Sequence, residues 1–126
     1  WNCPSLRRVI MPGVEVVAYE AFNECEALTD VECDKLEIIE SSAFFGCKSL
    51  RIINLPSARV VEGWALADCT ALTNVKFGKE LESIGGLAFF GCTSLQRITI
   101  PLKDGIITED DTFRGCENLK HVDLVE

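Results

Sequence analysis

The chain reads as an α/β solenoid, a stack of short strands joined by turns, and three observations point there. Six of its seven cysteines, Cys3, Cys25, Cys47, Cys69, Cys92 and Cys116, recur at intervals of 22, 22, 22, 23 and 24 residues. Each is followed by the same apolar set: a leucine three residues on, a β-branched residue three beyond it, and another apolar residue two further. From Cys25 onward each is also preceded by a small residue and a large apolar one, as Ala43-Phe44 precedes Cys47. Self-similarity of this kind marks a repeat architecture. A unit of 22–24 residues cannot bury its apolar face alone, so it stacks on its neighbours.

The elements of one repeat follow from the spacing. Leu-x-x-Val/Ile-x-apolar, as in Leu50, Ile53 and Leu55, ends in the period-two alternation of a strand exposed on one side. A turn residue closes it: Pro12, Asp34, Pro56, Gly78 or Pro101. A return segment carries the apolar residues Val16-Val17, Ile38-Ile39, Val60-Val61, Ile84 and Ile106-Ile107. Last comes Ala-Phe-x-x-Cys, in which Phe and Cys stand three apart, as they would on one face of a short helix or 3₁₀ turn.

The stretches "IESSAFFGCKSLRIINLP" and "IGGLAFFGCTSLQRITIP" closely resemble the BspA-type leucine-rich repeat, approximately Ile-x-x-x-Ala-Phe-x-x-Cys-x-x-Leu-x-x-Ile-x-Leu-Pro. The resemblance runs through essentially the whole chain. Leu66 in place of phenylalanine, Thr112 in place of alanine and the lengthened "LKDGIITEDDTF" depart from it locally. It implies a right-handed superhelix with a parallel β-sheet of about six strands on the concave face and short helical or 3₁₀ turns on the convex side. Residues 1–126 then form a single array of about five full repeats, a segment of a longer protein. The family implies binding or cell-surface adhesion, not catalysis.

Three uses of the cysteine column compete. Unpaired cysteine is among the most buried residue types and fills space like a small hydrophobe, so the column can form a buried thiol ladder. Rungs about 4.8 Å apart fall inside the disulfide Cα window, but side chains in register point the same way and do not favour the ~90° torsion. Metal sites want CxxC or Cys/His clusters; the chain has no CxxC and one histidine. The spacing favours the ladder over a metal or redox site. Cys33 occupies the position of Leu55 and Ile100 and reads as strand core.

Charge separates by position. The net charge is −8, which argues against a nucleic-acid module. The eighteen strand positions expected on the concave face nevertheless hold six basic residues, Arg7, Arg8, Arg51, Lys76, Arg97 and Lys120, against Asp30, Glu32 and Asp123, a net +3. The rest of the chain holds six basic and seventeen acidic residues, −11. Such a strip suits an acidic protein or glycan partner, although exposed cations on a sheet also discourage edge pairing. Ile10, Ile52 and Asn54 lie on the same strip. Trp64 falls in the column of Glu20, Ser42, Leu87 and Asp111, on the convex side over Leu87, as packing or as a binding anchor.

Other features point nowhere further. His121 has no matched nucleophile or ligand and reads as a surface strand residue. Thr108–Asp111, "TEDD", lacks the spaced framework of a calcium loop, and its acids suit the start of a helical turn. No phosphate loop, catalytic triad, paired carboxylates or Asn-x-Ser/Thr acceptor occurs, and no cofactor is expected. No apolar run approaches the ~18 residues of a membrane span. The chain starts inside a repeat and stops after its sixth strand without a polar cap, so exposed end rungs and end-to-end self-association are expected. Family resemblance suggests the cell surface; an intracellular scaffold of the same fold is the alternative.

Overall fold

The computed structural model describes residues 3–107 and 109–125. Ten strands follow one another: β1 (Arg8–Ile10), β2 (Val16–Val17), β3 (Asp30–Glu32), β4 (Ile38–Ile39), β5 (Ile52–Leu55), β6 (Val60–Val61), β7 (Asn74–Phe77), β8 (Ser83–Ile84), β9 (Arg97–Pro101) and β10 (His121–Val125). They wind into a parallel β-solenoid of about five turns, in which every pairing joins one repeat to the next.

The longer strands are the Leu-x-x-Val/Ile segments. Their register keeps each column in line: Ile53 lies beside Val75 and Val75 beside Ile98, which lies beside Val122. The extra residues of the later repeats fall between strands, so the columns survive changes of period. Alternation along β5 is complete, with Ile52 and Asn54 exposed and Ile53 and Leu55 buried. This sheet has a seam, because β1-β3 and β5-β7-β9-β10 form separate hydrogen-bonded units. The return segments form a second sheet, β2-β4-β6-β8, extended by a bridge from Ile84 to Ile107. Its β-branched pairs were legible as apolar but not as strands, since two residues are too few to show a period.

The expected helical or 3₁₀ turns do not form: among the described residues there is no helix, so the α part of the α/β expectation is corrected. The Phe–Cys spacing instead serves two successive tight turns. Cys25 N–H donates to the Phe22 carbonyl at 3.1 Å and Ala21 N–H to Ala18 at 3.0 Å. The third residue of each turn is left-handed, with φ of 57° at Glu20 and Glu24, 58° at Ser42 and 72° at Gly46, as a type II turn requires. Reversing alternate peptides in this way aims the remaining N–H groups along the stack. Phe22, Phe44, Leu66 and Phe89 donate to Ala43, Ala65, Ala88 and Thr112 in the next repeat at 2.7 to 3.1 Å. A helix would have turned those donors back into its own repeat. Ladder bonding along the stack wins because it satisfies the same buried groups while joining neighbours that must pack anyway.

The core lies between the two sheets and these turns. Leu28, Leu50, Leu72 and Leu95 are buried in one column, and Phe44, Leu66 and Phe89 in another. Phe22 stacks on Phe44 at 5.3 Å and Phe89 on Phe113 at 5.6 Å, with Leu66 interrupting the row. Thr112 fits the alanine column fully buried because its hydroxyl reaches the carbonyls of Gly85 and Glu109, each at 3.1 Å. Of the "TEDD" stretch, Thr108 lies outside the described residues, Glu109 is in a bend, and Asp110 and Asp111 fall in a non-helical turn.

Candidate recognition surface

The six longer strands leave one face to solvent. Alternation turns Val9, Val31, Ile53, Val75 and Ile98 toward the core and their neighbours away from it. Arg7, Arg8, Ile10, Arg51, Ile52, Asn54, Lys76, Arg97 and Lys120 are all exposed. The two isoleucines are the apolar members, Ile10 at 56 % and Ile52 at 53 % exposure.

The cations are not equivalent. Arg8 donates to Glu32 at 2.8 Å and Arg97 to Asp123 at 2.9 Å, in each case across one strand pairing. The Glu32 hydrogen bond, followed by its charge, raises the pKa of the Arg8 guanidinium above its usual value. Sequence reasoning counted these side chains but could not pair them, because the partners are 24 and 26 residues apart and meet only through register. Arg51, Lys76 and the nearby Lys79 have no ion pair among the described residues. Lys76 and Lys79 line an open cleft of about 420 Å³ with Asp34, Asn54, Pro56, Phe77, Gly78 and Val125. Lys120 and His121 line a smaller one of about 200 Å³ with Gln96 and Asn118.

Trp64 lies elsewhere, at the turns. It is 40 % exposed and left-handed, with φ 62°. Its ring meets Phe90 edge-on at 5.6 Å and Phe45 tilted at 6.3 Å. Phe45 and Phe90 share a column in which the intervening repeat carries buried Ala67, and the tryptophan of that repeat completes the aromatic row. Left-handed backbone costs a bulky residue about 1–2 kcal/mol, offset here by two aromatic contacts of about 0.5–1.5 kcal/mol each. Such a row depends on three repeats at once, and single-column reading could not find it.

The cysteine column is a ladder of thiols, none of them in a disulfide. Cys25, Cys47, Cys69 and Cys92 are buried, and Cys3 and Cys116 half-buried. Each thiol from Cys47 on donates to the carbonyl at the Phe column of the preceding repeat: Cys47 to Phe22 at 3.3 Å, Cys69 to Phe44 at 3.2 Å, Cys92 to Leu66 and Cys116 to Phe89 at 3.1 Å. Burial pushes Cys33 up to about 11, and burial with the neighbouring Cys3 pushes Cys25 up to about 11. The hydrogen bond with Cys47, then burial, raises Cys69, and the hydrogen bond with Cys116, then burial, raises Cys92. The same contact with Cys92 lowers Cys116. Protonated, hydrogen-bonded thiols of this kind are space-filling donors. Among the described residues no group of three or more His, Cys, Asp and Glu is placed to hold a metal ion, and no helix is long and apolar enough to cross a membrane.

Comparison with known proteins adds the lineage. A family model described as "BspA type Leucine rich repeat region" matches residues 1–120 in six copies. A leucine-rich repeat protein from Bacteroides ovatus is similar at 29% identity and a TM-score of 0.82, over 100% of this chain and 32% of that one. The T. pallidum leucine-rich repeat protein is similar at 30% identity and a TM-score of 0.84, over 98% of this chain and 58% of that one. The chain thus spans about a third of the one and somewhat over half of the other. No curated protein matches.

Proposed function

The chain belongs to the BspA-type leucine-rich repeat family, and from that premise we propose that it is a non-catalytic recognition module for a protein partner of acidic character. Leucine-rich repeats generally mediate protein interaction and are generally non-catalytic. The module would engage its partner through the exposed side of the longer strands, at Arg7, Arg8, Ile10, Arg51, Ile52, Asn54, Lys76, Arg97 and Lys120. One observation carries this reading: an acidic chain of net charge −8 holds half its cations on that one strip. Opposed potentials steer encounter and reject wrong partners. Trp64, anchored by Phe45 and Phe90, supplies a second surface on the turn side, of the residue type that dominates hot spots.

The test is affinity capture by the immobilised chain, run beside R51E/K76E/R97E. Capture by the parent chain that disappears in the triple variant supports the reading. Capture that persists at unchanged affinity removes this face. W64A, run in parallel, reports on the turn side independently.

A further inference from the structure

The ion pairs make the electrostatic strip uneven. At one end Arg8 is held by Glu32, and toward the other Arg97 is held by Asp123. Between them Arg51, Lys76 and Lys79 carry charge that no described carboxylate engages, whereas Arg7 and Lys120, also in no described ion pair, stand singly at the two ends. Arg51 immediately precedes β5, Lys76 lies within β7 and Lys79 just beyond it. Asn54 is the register partner of Lys76. The three cations therefore follow the strand direction within two adjacent repeats, rather than crossing the stack.

Apolar side chains border part of this track. Ile52, next to Arg51, is 53 % exposed. Pro56 and Val125 border the cleft around Lys76 and Lys79 above the buried Phe77, and Asp34 is the one acidic residue in the lining. Three cations spaced along a strand, with the apolar Ile52 beside them, match an extended chain whose surface-facing residues, every second one, are in turn carboxylate and apolar. An extended peptide presents alternate side chains to one side roughly every 7 Å. A sulfated glycan would use the cations and leave Ile52 and the apolar wall without partners.

We infer that the recognition site is centred on the third and fourth repeats, at Arg51, Ile52, Lys76 and Lys79, and takes an extended acidic peptide segment of a partner protein. This rests on the recognition reading above and narrows it: the ion-paired Arg8 and Arg97 shape the flanks, and the clustered unpaired cations Arg51, Lys76 and Lys79 hold the ligand. Exposed pairs contribute little to stability, but a cation already neutralised attracts a second carboxylate weakly.

The experiment uses the fluorescein-labelled heptapeptide Glu-Ser-Leu-Ser-Glu-Ser-Leu, which carries Glu and Leu in turn on one side of an extended chain, its Gln counterpart and a sulfated oligosaccharide, read by anisotropy at two salt concentrations. The acidic peptide is expected to bind with a salt-sensitive Kd, about tenfold more tightly than the Gln peptide. K76E/K79E should weaken it at least about tenfold. K48E/R114E, an equal change of net charge on residues outside the face, should alter it by less than about twofold. R8E/R97E should fall clearly short of the loss seen with K76E/K79E. Equal losses in those two variants overturn the centring. Equal affinity for the Gln peptide, tighter binding of the oligosaccharide, or no peptide binding overturns the ligand class. Circular dichroism melts of each variant separate binding from folding. If R51E/K76E/R97E abolishes partner capture while no peptide binds, the recognition reading stands and this one fails.

Discussion

Cys69→Ala tests the packing role of the thiol ladder at its centre. The side chain is 0% exposed, and its thiol donates to the Phe44 carbonyl at 3.2 Å. Removing one buried heavy atom from a core that relaxes only in part costs about 1–1.5 kcal/mol, by analogy with Ile→Val. The weak S–H···O bond adds about 0.5 kcal/mol. No penalty for an orphaned carbonyl applies, because Phe44 O also accepts the Cys47 N–H at 3.3 Å. The expected loss is about 1.5–2 kcal/mol, which lowers Tm by about 6–8 °C for a domain of this size. Scanning calorimetry under reductant measures it. Cys116→Ala, at a half-buried site with the same type of bond, should lower Tm by less than half as much. A Cys69→Ala protein as stable as the parent, or an equal loss at Cys116, would refute the ladder as a packing device.

Other outcomes follow from the same geometry. Burial raises Cys25 and Cys33 to about 11, above their ordinary value; the unfolded chain therefore releases these protons first, and stability is full below pH ~9 and lost toward pH ~11, by about 1 kcal/mol per thiol at pH 10. Urea melts across that range check the sign, and stability that rises with pH contradicts it. Gly78→Ala places a Cβ 2.2 Å from the Pro56 carbonyl oxygen, so the backbone of two repeats must separate; a loss of about 1–3 kcal/mol in a denaturant melt is expected. Ser42→Gly removes a side chain from a φ of 58° and should raise stability by about 0.5–1 kcal/mol; a lower Tm would show that the left-handed turn is not the strained element.

Much of the molecule was readable from one repeat laid on the next. The columns of Ile53 and Leu55 are core because period-two alternation buries every second residue, and that is a local property; Leu50, three residues earlier, precedes the strand and is buried with them. The turns were not readable in the same way. Phe44-x-x-Cys47 has helical spacing, and its i to i+3 bond does form, yet the next donors leave the segment for the neighbouring repeat. The choice between helix and stacked turn lies in where buried N–H groups find carbonyls, and those carbonyls are about 21 residues away. Cys33, read as strand core, is buried as expected, while the seam between β3 and β5 beside it had no sequence signal.

By itself the sequence determined the repeat, the core columns of the inner rungs and the burial of Cys25, Cys47, Cys69 and Cys92. Each of these depends on spacing within one repeat, and copying the repeat multiplies the signal. On the last strand the column members Val122 and Leu124 are exposed, because no further rung covers them. Tertiary structure alone decided that the convex segments are turns, that Trp64 joins Phe45 and Phe90, and that Arg8 and Arg97 are paired while Arg51 and Lys76 are not. Those outcomes depend on register between repeats, where side chains more than twenty residues apart come within a few ångströms of each other.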